Sequence, residues 1–120
     1  MSGLKSGQRT NGEPEAGSHK RIQKLPLNGG GSYPLFRELS RAFKAGMVHL
    51  ESGEQCGEHS TEACEEILLF LEGSGKIMAN GEEIPVEQHT AVFIPPFTEH
   101  NVISGNGVLR YVYFVSAMKV

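Results

Sequence analysis

Beyond Tyr33 the apolar positions fall in short runs broken by Gly, Pro and Asn, and none keeps a helical period for long. Such a pattern predicts an all-β chain. The runs mark strands at roughly Arg41 to Leu50, Cys56 to Ser60, Glu65 to Leu71, Lys76 to Ala79, Glu82 to Val86, Ala91 to Ile94, His100 to Ser104 and Val108 to Val115. Their spacing, about 8 to 12 residues, is that of an antiparallel sandwich or barrel. Asn80-Gly81 has the left-handed tolerance of a two-residue type I′ hairpin, and Gly73-Ser74-Gly75 and Gly105-Asn106-Gly107 mark two further turns. Helix is expected only as one turn around Pro34 to Ser40, where Leu35, Phe36 and Leu39 share a face.

Every residue from Ile67 to Leu71 is apolar, so that strand is apolar on both faces. With Leu68 and Phe70 pointing inward, Ile67, Leu69 and Leu71 point out. An outer apolar face needs a cover, either a second copy of the chain in a homodimer or Ile22, Leu25 and Leu27 folded back as an added edge strand.

Composition divides the 120 residues in two. Residues 1–32 hold only six apolar residues and seven of the fifteen glycines, so they are expected to be a flexible N-terminal segment, and residues 33–120 a single domain. The segment carries five Lys and Arg against two Glu, while the domain carries six against twelve. A net charge of −3 gives no basic footprint for nucleic acid or an anionic membrane surface. Unbroken apolar runs reach only five residues, far short of a bilayer span, so a soluble, cytoplasmic protein is expected. Two cysteines, Cys56 and Cys64, are too few for a disulfide scaffold and are expected as thiols. All fourteen acids are Glu, so any carboxylate that binds a metal or moves a proton is a Glu.

The chemistry concentrates between Gly53 and Gly73. His59 and Thr61 lie two apart on a strand and share a face, Glu66 opens the next strand after a short connection, and His100 arrives from far along the chain. Here the sequence resembles the cupins. Gly53, His59, Glu66 and Gly73 match the superfamily's first motif, G-x5-H-x-H-x3,4-E-x6-G, with Thr61 where the second His stands. Pro95 and His100 match the second motif, G-x5-P-x-G-x2-H-x3-N, while His89, Phe97 and Ser104 stand in place of its Gly, Gly and Asn. The resemblance covers roughly residues 41 to 116 and is to the small, single-domain cupins of the conserved-barrel type. It implies a double-stranded β-helix, or jelly-roll barrel, with a divalent metal held by His59, Glu66 and His100.

Two imidazoles and one carboxylate converging from one side leave positions open for a substrate, and such a set suits iron(II) or manganese, with zinc or nickel also compatible. A threonine hydroxyl is a poor ligand, so Thr61 is expected to support a bound water or Glu66. Cys56 is either a pocket thiol or a packed loop residue, and Leu68, Phe70 and Val102 are expected to give the pocket an apolar floor. A structural zinc site on Cys56, His59 and Cys64 is disfavoured because only one paired arm exists. On the last strand Tyr111 and Tyr113 share one face, and Arg110, Val112 and Phe114 the other. If the tyrosines face inward they are the candidate catalytic acid or base; if Arg110 does, it would grip a carboxylate or phosphate. The function expected is a metal-dependent oxygenase, isomerase or lyase on a small polar molecule, and the alternative is a non-catalytic module binding a sugar or small acid.

Overall fold

The structure, a computed structural model, describes residues 21–38 and 42–116. Residues 1–20 of the expected flexible segment lie outside these, as do Leu39 and Ser40 of the expected helical turn. Among the described residues nine strands follow one another: β1 (Tyr33–Pro34), β2 (Phe43–Leu50), β3 (His59–Ser60), β4 (Glu66–Glu72), β5 (Ser74–Ala79), β6 (Glu82–Glu87), β7 (Thr90–Ile94), β8 (Glu99–Ser104) and β9 (Leu109–Ser116). They form two antiparallel sheets, ordered β1-β2-β9-β4-β7 and β3-β8-β5-β6. This is a jelly-roll barrel.

Alternation along the strands builds the core. Leu68 and Phe70 on β4, Ile77 on β5, Val102 on β8 and Tyr111 on β9 point between the sheets with Leu50, Val86, Ile94 and Leu109. The hairpin at Asn80-Gly81 has φ of 53° and 77°, the paired left-handed values that a type I′ turn requires. Gly73 cannot be replaced freely, since its φ is 85° and a Cβ there would lie 1.9 Å from the Val108 carbonyl oxygen.

A second cluster lies outside the five-stranded sheet, where Leu35 packs on Ala45, Met47 and Val112, flanked by Tyr33 and Phe114. The first cover of the outer face is therefore Tyr33 to Leu35. Ile22, Leu25 and Leu27 are exposed and belong to no strand, and the edge position goes to Tyr33–Pro34. The segment is held by Arg110, whose guanidinium donates to the Leu27 and Gly29 carbonyls at 3.0 and 3.1 Å. Arg110 thus faces outward and has no part in the barrel interior. Among the described residues no helix forms around Pro34: Leu35 is buried, while Phe36 adopts a left-handed φ of 53° that breaks a helical turn.

Candidate metal centre

β3 and β8 pair with His59 directly opposite His100, which brings their rings to 4.3 Å between centroids. β4 belongs to the opposing sheet and aims Glu66 at the same point, with its Oε1 3.2 Å from His100 Nε2. One ligand atom from each of His59, Glu66 and His100 falls within 4.8 Å of the others. That is the span of a single metal coordination sphere.

The donor chemistry fits a metal as well as the distances do. His100 Nδ1 lies 3.0 Å from the Thr98 carbonyl and His59 Nδ1 3.1 Å from the Gly57 carbonyl. A carbonyl can only accept, so each Nδ1 carries the proton and each Nε2 is the nitrogen left for a metal, which at His100 would take the place of the proton shared with Glu66. The three residues differ in exposure: Glu66 and His100 are buried, while His59 is open to solvent at the rim. Burial alone would lower the His100 pKa. The hydrogen bond to Glu66, the Thr98 carbonyl and the Glu66 charge together outweigh it and hold the group above its ordinary value.

Beside the triad lies a cavity of about 280 Å³ lined by Val48, Cys56, Thr61, Tyr111, Tyr113 and Val115 as well as His59, Ser60 and Glu66. No lysine or arginine is among these residues. The last strand therefore presents its tyrosine face inward. Burial, with the hydrogen bond and charge of Cys56 and the charges of Glu66 and Tyr113, pushes the Tyr111 phenol far above its ordinary range. It stays protonated at neutral pH, so its hydroxyl keeps a proton to donate. Tyr113 occupies space that Gly46 leaves free, since a Cβ at Gly46 would lie 2.6 Å from its phenol oxygen.

Cys56 borders the cavity, with its Sγ accepting from the Val102 amide at 3.4 Å. Leu68, Phe70 and Val102 lie in the packed core rather than in the cavity wall. His49 lies on the outward face between Glu51, 2.9 Å away, and Arg110. A smaller cavity of about 150 Å³ lies against His100 between β5, β6 and β7, walled by Ile77, Ala79, Ile84 and Val92.

Comparison with known proteins agrees with this architecture. The chain is 31% identical over 74 residues to the tetracenomycin polyketide synthase protein TcmJ of Streptomyces glaucescens, a match covering 61% of this chain and 50% of that protein. It thus spans about half the length of the curated relative. A cupin protein from Bacteroides fragilis superimposes with a TM-score of 0.72 over 82% of this chain and 88% of its own, at 20% identity. A predicted oxalate decarboxylase from Thermotoga maritima does so with a TM-score of 0.60 over 64% and 68%, at 24% identity. At these identities the two structures speak for the fold alone. The family model of the cupin domain matches residues 46–115, which run from within β2 to within β9 and include the His59, Glu66 and His100 cluster, and the chain belongs to that family.

Proposed function

We propose that the protein is a metal-dependent enzyme that binds one divalent ion through His59, Glu66 and His100 and acts on a small, largely apolar molecule in the adjoining cavity. The observation that carries this reading is the convergence of three ligand atoms within 4.8 Å at the wall of a cavity. A bound ion would supply Lewis acidity toward substrate oxygens. Three protein ligands leave coordination positions open. With no lysine or arginine among the described residues of the cavity wall, a carboxylate or phosphate substrate would find no guanidinium or ammonium partner beside the ion, only neutral donors such as the tyrosine phenols. The fitting substrate class is therefore neutral or enolisable, carrying adjacent oxygens on an apolar body, and the relation to a polyketide synthase protein supports it.

Within that site the chain's own groups have distinct tasks. Tyr111, held protonated, donates a hydrogen bond to a substrate oxygen, and Tyr113 offers a second phenol from the same strand face. Val48 and Val115 exclude water around the apolar body. Reactions consistent with this are isomerisation, elimination or oxygenation of an enolisable ketone. The two free thiols suit a reducing compartment, and the reading includes a cytoplasmic homodimer.

Metal analysis and thermal unfolding test the first step. At a hundredfold excess over the dissociation constant, a bound ion stabilises the fold by about 2.7 kcal/mol. Manganese, iron(II), zinc or nickel should raise the melting temperature, and His59→Ala, Glu66→Gln and His100→Ala should each abolish the rise. If none of the four ions shifts the melting temperature of the parent protein, the metal reading fails. Oxygen uptake and product analysis with enolisable diketones then separate oxygenation from isomerisation. A metal-loaded protein that binds such compounds and leaves them unchanged is the non-catalytic binding module instead.

A further inference from the structure

Where the family motif carries its second histidine, this chain carries Thr61, and its buried hydroxyl is fully engaged. It donates to the Pro95 carbonyl at 2.7 Å and accepts from the Thr98 amide at 3.1 Å. The Thr61 amide in turn donates to the Thr98 carbonyl at 3.3 Å, and the neighbouring Phe97 amide donates to the Glu62 carbonyl at 2.6 Å. These bonds clamp the β3–β4 turn to the β7–β8 turn. The Thr98 carbonyl also faces His100 Nδ1 at 3.0 Å. One carbonyl therefore links Thr61 to the imidazole of His100, a ring only 1% exposed.

We propose that Thr61 is a positioning residue for His100. By clamping the Pro95 to Thr98 turn it fixes the carbonyl that receives the Nδ1 proton, and so keeps Nε2 aimed at Glu66 and the metal. The inference rests on the metal reading of His59, Glu66 and His100, and it gives the substitution at position 61 a purpose. A histidine there would add a fourth ligand. The threonine instead uses both halves of one hydroxyl, donor and acceptor, to hold the third. Serine retains that pair of functions and valine retains only the shape.

Thr61→Val and Thr61→Ser separate the two. In metal-free protein, hydrogen exchange of the Thr98 amide and of the His100 Nδ1 proton is followed by NMR. In a parallel titration, zinc affinity is measured against a competing chelator. Outer-shell partners of metal-bound histidines typically account for 10- to 100-fold in affinity. Thr61→Val should speed exchange of both protons and weaken zinc about tenfold or more, and Thr61→Ser should restore both towards the parent. Should the valine variant fail to fold, Thr61→Ala carries the same measurements. Unchanged exchange of the His100 proton in the valine or alanine variant overturns the proposal, as does a serine variant no better than valine. If the parent binds no zinc but its His100 proton still responds to Thr61→Val, the clamp stands and the metal reading alone fails.

Discussion

His89 and Phe97 occupy left-handed backbone, with φ of 68° and 56°, at the two positions where the cupin motif has glycine. The chain has kept the conformation and lost the residue that adopts it without strain. Left-handed geometry costs an ordinary residue roughly 1 to 2 kcal/mol, against about 0.5 to 1 kcal/mol of backbone entropy that a glycine gives up on folding. Phe97 is 71% exposed, so it recovers little by burial. Phe97→Gly should therefore stabilise the protein by roughly 0.5 to 1 kcal/mol, raising the melting temperature by a few degrees. A lower melting temperature would show that the ring makes contacts worth more than the strain. At the same scale, His100 binds its proton more tightly when folded than its ordinary value of 6.5. The stability this gives is fully present below that value and is lost as pH rises through the raised folded one. Urea midpoints of the metal-free protein, taken in chelator from about pH 6 to pH 9, should fall across that window. Glu66→Gln, which removes the charge that helps raise the group, should flatten the fall.

At the scale of elements, most strands are legible in the sequence because each is a short apolar run closed by turn residues such as Gly73, Asn80-Gly81, Pro95 and Gly105. β2, β4, β5, β6, β7, β8 and β9 lie within two residues of where the apolar pattern puts them. β3 does not, since it covers only His59–Ser60 and its expected first half, Cys56 to Glu58, runs irregularly through Gly57 at a φ of 101°. The Cys56 amide still bonds the Val102 carbonyl at 3.0 Å, so the segment lies against β8 without a continuous ladder. The motif resemblance brought out His59, Glu66 and His100 as a set; two-residue periodicity alone relates only His59 to Thr61, since β3 pairs with β8 while β4 lies in the other sheet. The clamp on Thr61 is invisible to such reasoning. Its partners, Pro95 and Thr98, lie 34 and 37 residues away, and it meets them through backbone groups that every residue type carries.

At the scale of the molecule, the described residues cover only part of the outer face of the five-stranded sheet. Tyr33 and Leu35 shield Ala45, Met47 and Val112, but Phe43, Ile67, Leu71 and Phe93 remain 44%, 43%, 42% and 56% exposed. Register makes these a patch, since Ile67 pairs with Phe93 on one side and with Phe114 on the other, and Phe43 meets Phe114 edge-on at 6.1 Å. Ile22, Leu25 and Leu27 leave it open, because Arg110 anchors the Leu27 to Gly29 backbone at the other end of β9. A second copy related by a two-fold axis would bury the patch against itself, as closed symmetry allows. Light scattering of the full-length chain should therefore give about twice 13.1 kDa. Ile67→Lys with Phe93→Lys should return the monomer, while a chain lacking residues 1–32 should still pair through the uncovered strands. A full-length monomer at micromolar concentration would rule out the self-interface. Loss of pairing on deletion of the segment alone would move the contact from the sheet face to the segment itself.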